Sequence, residues 1–150
     1  SNIKYAQEDM SDEKMKRAAR IAQAEDFIMD KDEGYGFSVS RGGANVSGGQ
    51  RQRLAIARAL ATDAEAIIFD DSFSALDMKT DHRLRQNLKE YTGNAAVVLV
   101  AQRISSILDA DQILVVDDGK IIGNGTHQEL LSTCPLYREI AELQLGGSLI

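Results

Sequence analysis

The chain has 150 residues, enough for one domain that buries a core without staples, and its 43% hydrophobic and 27% charged residues are those of an ordinary soluble globular α/β protein or a cytosolic piece of something larger. Seventeen Lys and Arg against twenty-three Asp and Glu leave a net charge of −6, so no domain-wide positive field exists to draw in a nucleic-acid backbone. The apolar runs 95–101 and 113–116 fall far short of the ~20 residues of a membrane helix, the polar opening 1–11 lacks the apolar core of a signal peptide, and the lone Cys134 excludes an internal disulfide or a Cys-built metal site.

The first periodic stretch runs from Met10 to Met29. Ser11 stands where a cap is needed, Asp12 and Glu13 fall in the first turn where the helix dipole favours anions, and Met15, Ala18, Ile21 and Ala22 make an apolar stripe, so one helix is predicted over 10–29. Residues 30–44 break the pattern with Gly34, Gly36, Gly42 and Gly43 and are predicted as loop. A second helix is predicted over 50–61, with Leu54, Ala57 and Ala61 on one face and Arg51, Arg53 and Arg58 on a solvated one. Ala66 to Phe69 is an uninterrupted apolar run, the pattern of a parallel strand buried on both faces.

Asp77 to Tyr91 has helical spacing, with Leu84, Leu88 and Tyr91 in line and Gly93 as its stop, and 96–101 is the next buried strand. Strand, helix and strand make a βαβ unit, for which a right-handed crossover is expected. A short helix over 104–108 precedes Gln112–Val116 and Lys120–Ile122, which flank Asp117-Asp118-Gly119 as a hairpin flanks its turn. Thr126 and Glu129 match a capping box, Pro135 fits the first turn of a last helix ending near Leu143, and 146–150 is expected to fray. His82 falls on a polar face, His127 belongs to the capping turn, and Asp117-Asp118 is a turn pair rather than a metal pair.

Most of the chemistry is concentrated in Val46-Ser47-Gly48-Gly49-Gln50-Arg51-Gln52-Arg53, where the second helix starts. Two glycines at a helix N-terminus let the backbone approach an anion, the first N–H groups of the helix lack internal partners, and the Ser hydroxyl adds a donor. For a bare Ser-Gly-Gly, a flexible capped loop explains as much. The Gln-Arg-Gln-Arg-Leu that follows changes this: the segment resembles the signature motif of the ATP-binding-cassette ATPases, Leu-Ser-Gly-Gly-Gln followed by a basic helix, with Val46 in place of Leu. Further matches follow in order. Ala66-Ile67-Ile68-Phe69-Asp70-Asp71 resembles the Walker B strand, Ser74-Ala75-Leu76-Asp77 the D-loop, the strand leading to Gln102-Arg103 the switch region, and Gly125 to Leu130 the Gly-Thr-His-x-Glu-Leu helix start. Asn2-Ile3-Lys4-Tyr5 resembles exporters just after their glutamine loop. The loop at 39–44, which in exporters touches the membrane domain, lacks the usual acidic residue and has the basic Arg41 nearby.

No Gly-x-x-x-x-Gly-Lys-Ser/Thr phosphate loop occurs in the sequence. The chain therefore resembles the C-terminal part of an exporter nucleotide-binding domain. Residues 1–62 are expected to form the helical subdomain with the signature, and 63–150 the C-terminal part of a P-loop core. With a central strand missing, the apolar faces of the two parallel strands should be uncovered.

The resemblance further implies that two such domains close head to tail around two ATP molecules, beneath a transmembrane domain preceding this segment, at the cytoplasmic face of the membrane. Val46, Ser47, Gly48, Gly49 and Gln50 would contact ATP held by the partner domain. Asp70 would orient Mg²⁺ through water, and Ser74, Ala75, Leu76 and Asp77 would cross the dimer interface. Two positions depart from the family. Asp71 stands where a glutamate polarises the attacking water, one methylene and about 1.5 Å shorter in reach, and misplacement near 1 Å costs on the order of a hundredfold. Gln102 stands where a histidine meets the γ-phosphate and cannot become cationic. Together they resemble the degenerate half of a heterodimeric multidrug-type exporter, whose intact signature completes the partner's site. A homodimer with two slow sites, a soluble ATPase of the same superfamily acting on DNA or ribosomes, and a non-catalytic interaction module are the competing expectations.

Overall fold

The computed structural model describes residues 2–93 and 95–146. In chain order these contain α1 (Asp12–Ile21), α2 (Glu25–Met29), α3 (Gly48–Leu60), β1 (Ala66–Asp70), α4 (Met78–Thr92), β2 (Ala96–Val100), β3 (Ile113–Asp117), β4 (Lys120–Gly125), α5 (His127–Thr133) and α6 (Pro135–Leu145). Single 3₁₀ turns occupy 3–6, 34–36, 41–43 and 104–106. Among the described residues the strands form two ladders, β1 beside β2 and β3 antiparallel to β4. The chain divides into one compact unit up to Val98 and a second from Leu99 onward.

In the first unit the expected helix over 10–29 is two helices. Ser11 caps α1 as its sequence position suggests, accepting from the Lys14 N–H at 3.3 Å. After Ala22 the chain turns at Gln23, whose φ is +56°. The Gln23 N–H donates to the Arg20 carbonyl at 3.0 Å and the Ala24 N–H to the Ala19 carbonyl at 2.8 Å, the two bonds of a Schellman ending. Glycine is usual at the left-handed position and a glutamine there costs about 1 kcal/mol, so periodicity carries no sign of the break. A remote residue holds it: Arg53 Nη1 donates to the Gln23 carbonyl at 2.6 Å, and its guanidinium lies 4.7 Å from the centroid of the Phe27 ring. Arg53 is thus half-buried rather than on a solvated face, and desolvation lowers its pKa.

Helix α3 buries Leu54, Ile56, Ala57 and Leu60, and α1 buries Met15, Ala18 and Ala19. Two side chains of α4 reach back to helix carbonyls, Asn87 to Ile21 at 3.3 Å and the Tyr91 hydroxyl to Leu60 at 3.1 Å, which fixes α4 against both helices. Strand β1 alternates, with Ile67 and Phe69 buried and Ile68 69% exposed. In β2, Val98 and Val100 are each 51% exposed. The apolar runs here do not signify burial on both faces: one face of β1 is covered, and the other, with much of β2, is the uncovered apolar surface expected above.

In the second unit, Asp118 and Gly119 both have positive φ, 44° and 72°, which gives the hairpin its type I′ turn. The helix expected over 104–108 is a single 3₁₀ turn at Ile104–Ser106. The reciprocal cap of Thr126 and Glu129 starts α5, and Pro135 opens α6. Ile104, Ile113, Leu130, Cys134, Tyr137 and Ala141 form one buried cluster. Gly123 permits it: a Cβ there would lie 3.0 Å from both Cys134 Sγ and a Leu130 methyl. His127 is buried, with Nδ1 2.9 Å from the Tyr137 hydroxyl. The fraying expected at 146–150 concerns, beyond Gly146, residues outside those described.

Replacing Arg53 by alanine should cost the α1–α2 ending about 2 kcal/mol, the sum of a charged hydrogen bond and a cation–π contact. Amide exchange over 22–29 should accelerate roughly thirtyfold at that cost, and Arg53→Lys should restore only part of it because it lacks the planar fork.

Candidate functional site

The site forms around the N-terminus of α3. Ser47 Oγ accepts from the Gln50 N–H at 3.2 Å, and Gln50 Oε1 accepts from the Ser47 N–H at 3.0 Å, a complete capping box. The box satisfies the helix at N3 and leaves the N–H groups of Gly48 and Gly49 without acceptors inside the helix. The Ser47 hydroxyl keeps its own proton to donate. Ser47 is exposed and both glycines are partly exposed, so this end presents donors, a positive helix pole and no side-chain bulk, which suits an anion such as a phosphate. Val46, just before the cap, is buried. Arg51 Nη1 donates to the carbonyls of Gly43 at 3.1 Å and Val46 at 3.3 Å, tying the preceding loop to the helix.

The turn after β1 packs directly onto this helix end. A Cβ on Gly49 would stand 3.0 Å from the Ala75 carbonyl oxygen, whereas one on Gly48 would meet Ala75 Cβ at an ordinary 3.6 Å. Gln52 joins the two segments: Nε2 donates to the Asp71 carbonyl at 3.0 Å and to Ser74 Oγ at 2.9 Å, while Oε1 accepts from the Ala75 N–H at 2.9 Å. Leu76 is buried, and Asp77 caps α4, accepting from the Thr80 N–H at 2.9 Å and the Thr80 hydroxyl at 2.6 Å. These bonds lower the Asp77 pKa, the hydroxyl contributing most.

Ser47, Gly48, Gly49, Gln50, Ser74, Ala75, Leu76 and Asp77 are therefore brought together in one unit, with Asp70 and Asp71 at the head of the turn. Both carboxylates are exposed, and Asp71 has φ +49°. An exposed carboxylate at a strand end suits a hydrated divalent cation, and Asp70 fits that chemistry. Gln102 belongs to the second unit; its side chain is exposed and its carbonyl accepts from Gln144 Nε2 at 2.9 Å. Gln144 Oε1 also accepts from the Ile104 N–H at 2.8 Å, so α6 holds the backbone on both sides of Arg103. His82 is exposed.

Gln52 is the residue that the sequence pattern did not single out. A signal for it exists: Gly48 and Gly49 lie four and three residues before Gln52, on the same helix face. Two glycines beneath a long amide mark a face that another backbone approaches closely.

A family profile described as ABC transporter matches residues 2–74. An ABC transporter ATP-binding protein of Mycobacterium tuberculosis is 44% identical over 146 residues, covering 95% of this chain and 25% of that protein. The ATP-dependent lipid A-core flippase of Vibrio vulnificus is 43% identical over 147 residues, covering 97% and 25%. A solved bacterial Atm1-family ABC exporter with ATP bound superposes with a TM-score of 0.91 at 34% identity, covering 99% of this chain and 26% of that one. The chain thus spans about a quarter of the length of the curated relatives it matches.

Gly49→Ala should push the Ala75 carbonyl away and speed amide exchange over 74–77, whereas Gly48→Ala should leave that exchange unchanged. The Asp77 cap also has a pH signature. Its pKa is lowered only in the folded state, so the contact stabilises fully above the unfolded value of about 3.9 and is lost as pH falls from there through the folded value. Protection of the first turn of α4, followed by amide exchange against pH, should fall across that window, and Asp77→Asn should flatten the dependence while keeping a cap.

Proposed function

Because this chain belongs to the ABC transporter family, we propose that it is the signature-bearing part of an exporter's nucleotide-binding domain, which couples ATP binding and hydrolysis to transport across a membrane. The observation that carries this reading is the donor-rich end of α3 joined by Gln52 to the turn bearing Asp70 and Asp71. In this reading residues 1–62 are the helical subdomain and 63–150 the remaining part of the core. The protein works at the cytoplasmic face of the membrane, with its own transmembrane domain and a second nucleotide-binding domain as partners.

Ser47, Gly48, Gly49 and Gln50 contact the γ-phosphate of ATP held by the partner domain, with Val46 packed behind them. Asp70 would hold Mg²⁺ through water in this domain's own site. ATP supplies the phosphoryl group and Mg²⁺ the neutralising charge; the protein's share is positioning and electrostatics. Ser74 to Asp77 face the dimer interface.

The two halves of the chemistry are unequal. Asp71 is too short to hold water where a glutamate would, and Gln102 cannot supply an imidazolium. The signature differs only by Val46 for Leu. This domain therefore serves as the degenerate half of a heterodimer, contributing its signature to a partner that hydrolyses.

Steady-state ATP hydrolysis by the full-length complex carrying Asp71→Asn should stay near wild type. A loss of about a hundredfold or more would make Asp71 the working base and end the degenerate-half reading.

A further inference from the structure

The turn after β1 raises a question of backbone accounting. Asp71 has φ +49°, a left-handed conformation that a non-glycine residue adopts uncommonly and that its surroundings here hold in place. Its carbonyl receives the Ser74 hydroxyl at 3.1 Å and Gln52 Nε2 at 3.0 Å, and Gln52 Oε1 takes the Ala75 N–H at 2.9 Å. The orientation of the Gln52 amide is fixed by its partners: a carbonyl needs the NH₂ and a backbone N–H needs the oxygen, so only one flip satisfies both. One half-buried side chain on α3 thereby holds both ends of the 71–75 turn. On the other side, a Cβ on Gly49 would stand 3.0 Å from the Ala75 carbonyl oxygen, so the turn lies nearer the helix than a side chain there would allow.

We propose that Gln52 is a positioning residue: through its amide the 71–75 turn and the anion-binding end of α3 move as one body, which sets the geometry this domain presents to the partner's ATP. The proposal rests on the exporter reading above. Gln52 makes no bond to the reacting groups in this scheme, so its loss should lower kcat through misalignment and leave ATP binding largely intact.

The test uses the full-length complex with Gln52→Ala, Gln52→Glu and, as a check on the premise, Gly48→Asp, which places a negative charge at the helix end. Gln52→Ala should lower kcat for ATP hydrolysis by about tenfold or more with KM for ATP within about twofold. Gln52→Glu keeps the shape and the Ala75 bond but turns an acceptor toward the Asp71 carbonyl, so it should lose as much. Ser74→Ala should be non-additive with Gln52→Ala, because both act on the same turn.

Wild-type kcat in Gln52→Glu would reduce Gln52 to packing and overturn the proposal. So would a loss that appears only in KM. Should Gln52→Ala fail to assemble, the isosteric Gln52→Glu decides alone. Gly48→Asp separates the two levels of inference. If it abolishes hydrolysis while both Gln52 variants stay at wild type, only the role of Gln52 falls; if it hydrolyses normally, the reading of the helix end as an ATP contact falls.

Discussion

Three consecutive residues at the start of α3 hold the first unit together. Arg51, Gln52 and Arg53 project about 100° apart around the helix, and each satisfies backbone groups in a different segment. Arg51 takes the Gly43 and Val46 carbonyls, Gln52 takes Asp71 and Ala75, and Arg53 takes Gln23. Loops and helix endings have polar backbone groups that no ladder pairs, and leaving such groups buried without partners costs roughly 1–3 kcal/mol each. One helical turn answers that demand in three directions. The basic residues in this stretch are therefore structural cations to a large degree, which fits a domain whose net charge is −6.

The same turn of helix has to remain open at its tip. The capping box of Ser47 and Gln50 satisfies the helix start with side chains that fold back on it, leaving the Gly48 and Gly49 N–H groups facing outward. The two glycines have different tasks. Gly49 makes room for the Ala75 carbonyl, whereas a Cβ on Gly48 would make only ordinary contact with Ala75 Cβ. The result is a donor-presenting helix tip joined through the Gln52 amide to an acid-bearing turn. In the proposed role such a link matters because fractions of an ångström decide how well donors meet developing charge.

The second unit is built on different forces. Its core of Ile104, Ile113, Leu130, Cys134, Tyr137 and Ala141 is apolar, and Gly123 lets α5 press close against the hairpin. Gln144 pins the chain on both sides of Arg103, so Gln102 emerges from a backbone held by α6. This gives the Gln102 side chain a fixed origin and an exposed course.

Local chemistry was readable in the sequence wherever a few adjacent residues settle it. The caps at Ser11 and Thr126, the Asp118-Gly119 turn and the Pro135 helix start all depend on contacts within four residues, and each formed as its sequence indicates. The order of motifs from Val46 to Leu130 likewise sufficed to identify the family. The break at Gln23 depends on Arg53, thirty residues away, and the shape of the 71–75 turn on Gln52, about twenty away. The exposure of Ile68, Val98 and Val100 depends on what covers the sheet, which an apolar run does not specify. Periodicity records which side chains share a face; which backbone groups lack partners, and which distant side chain supplies one, is decided only when the chain has folded.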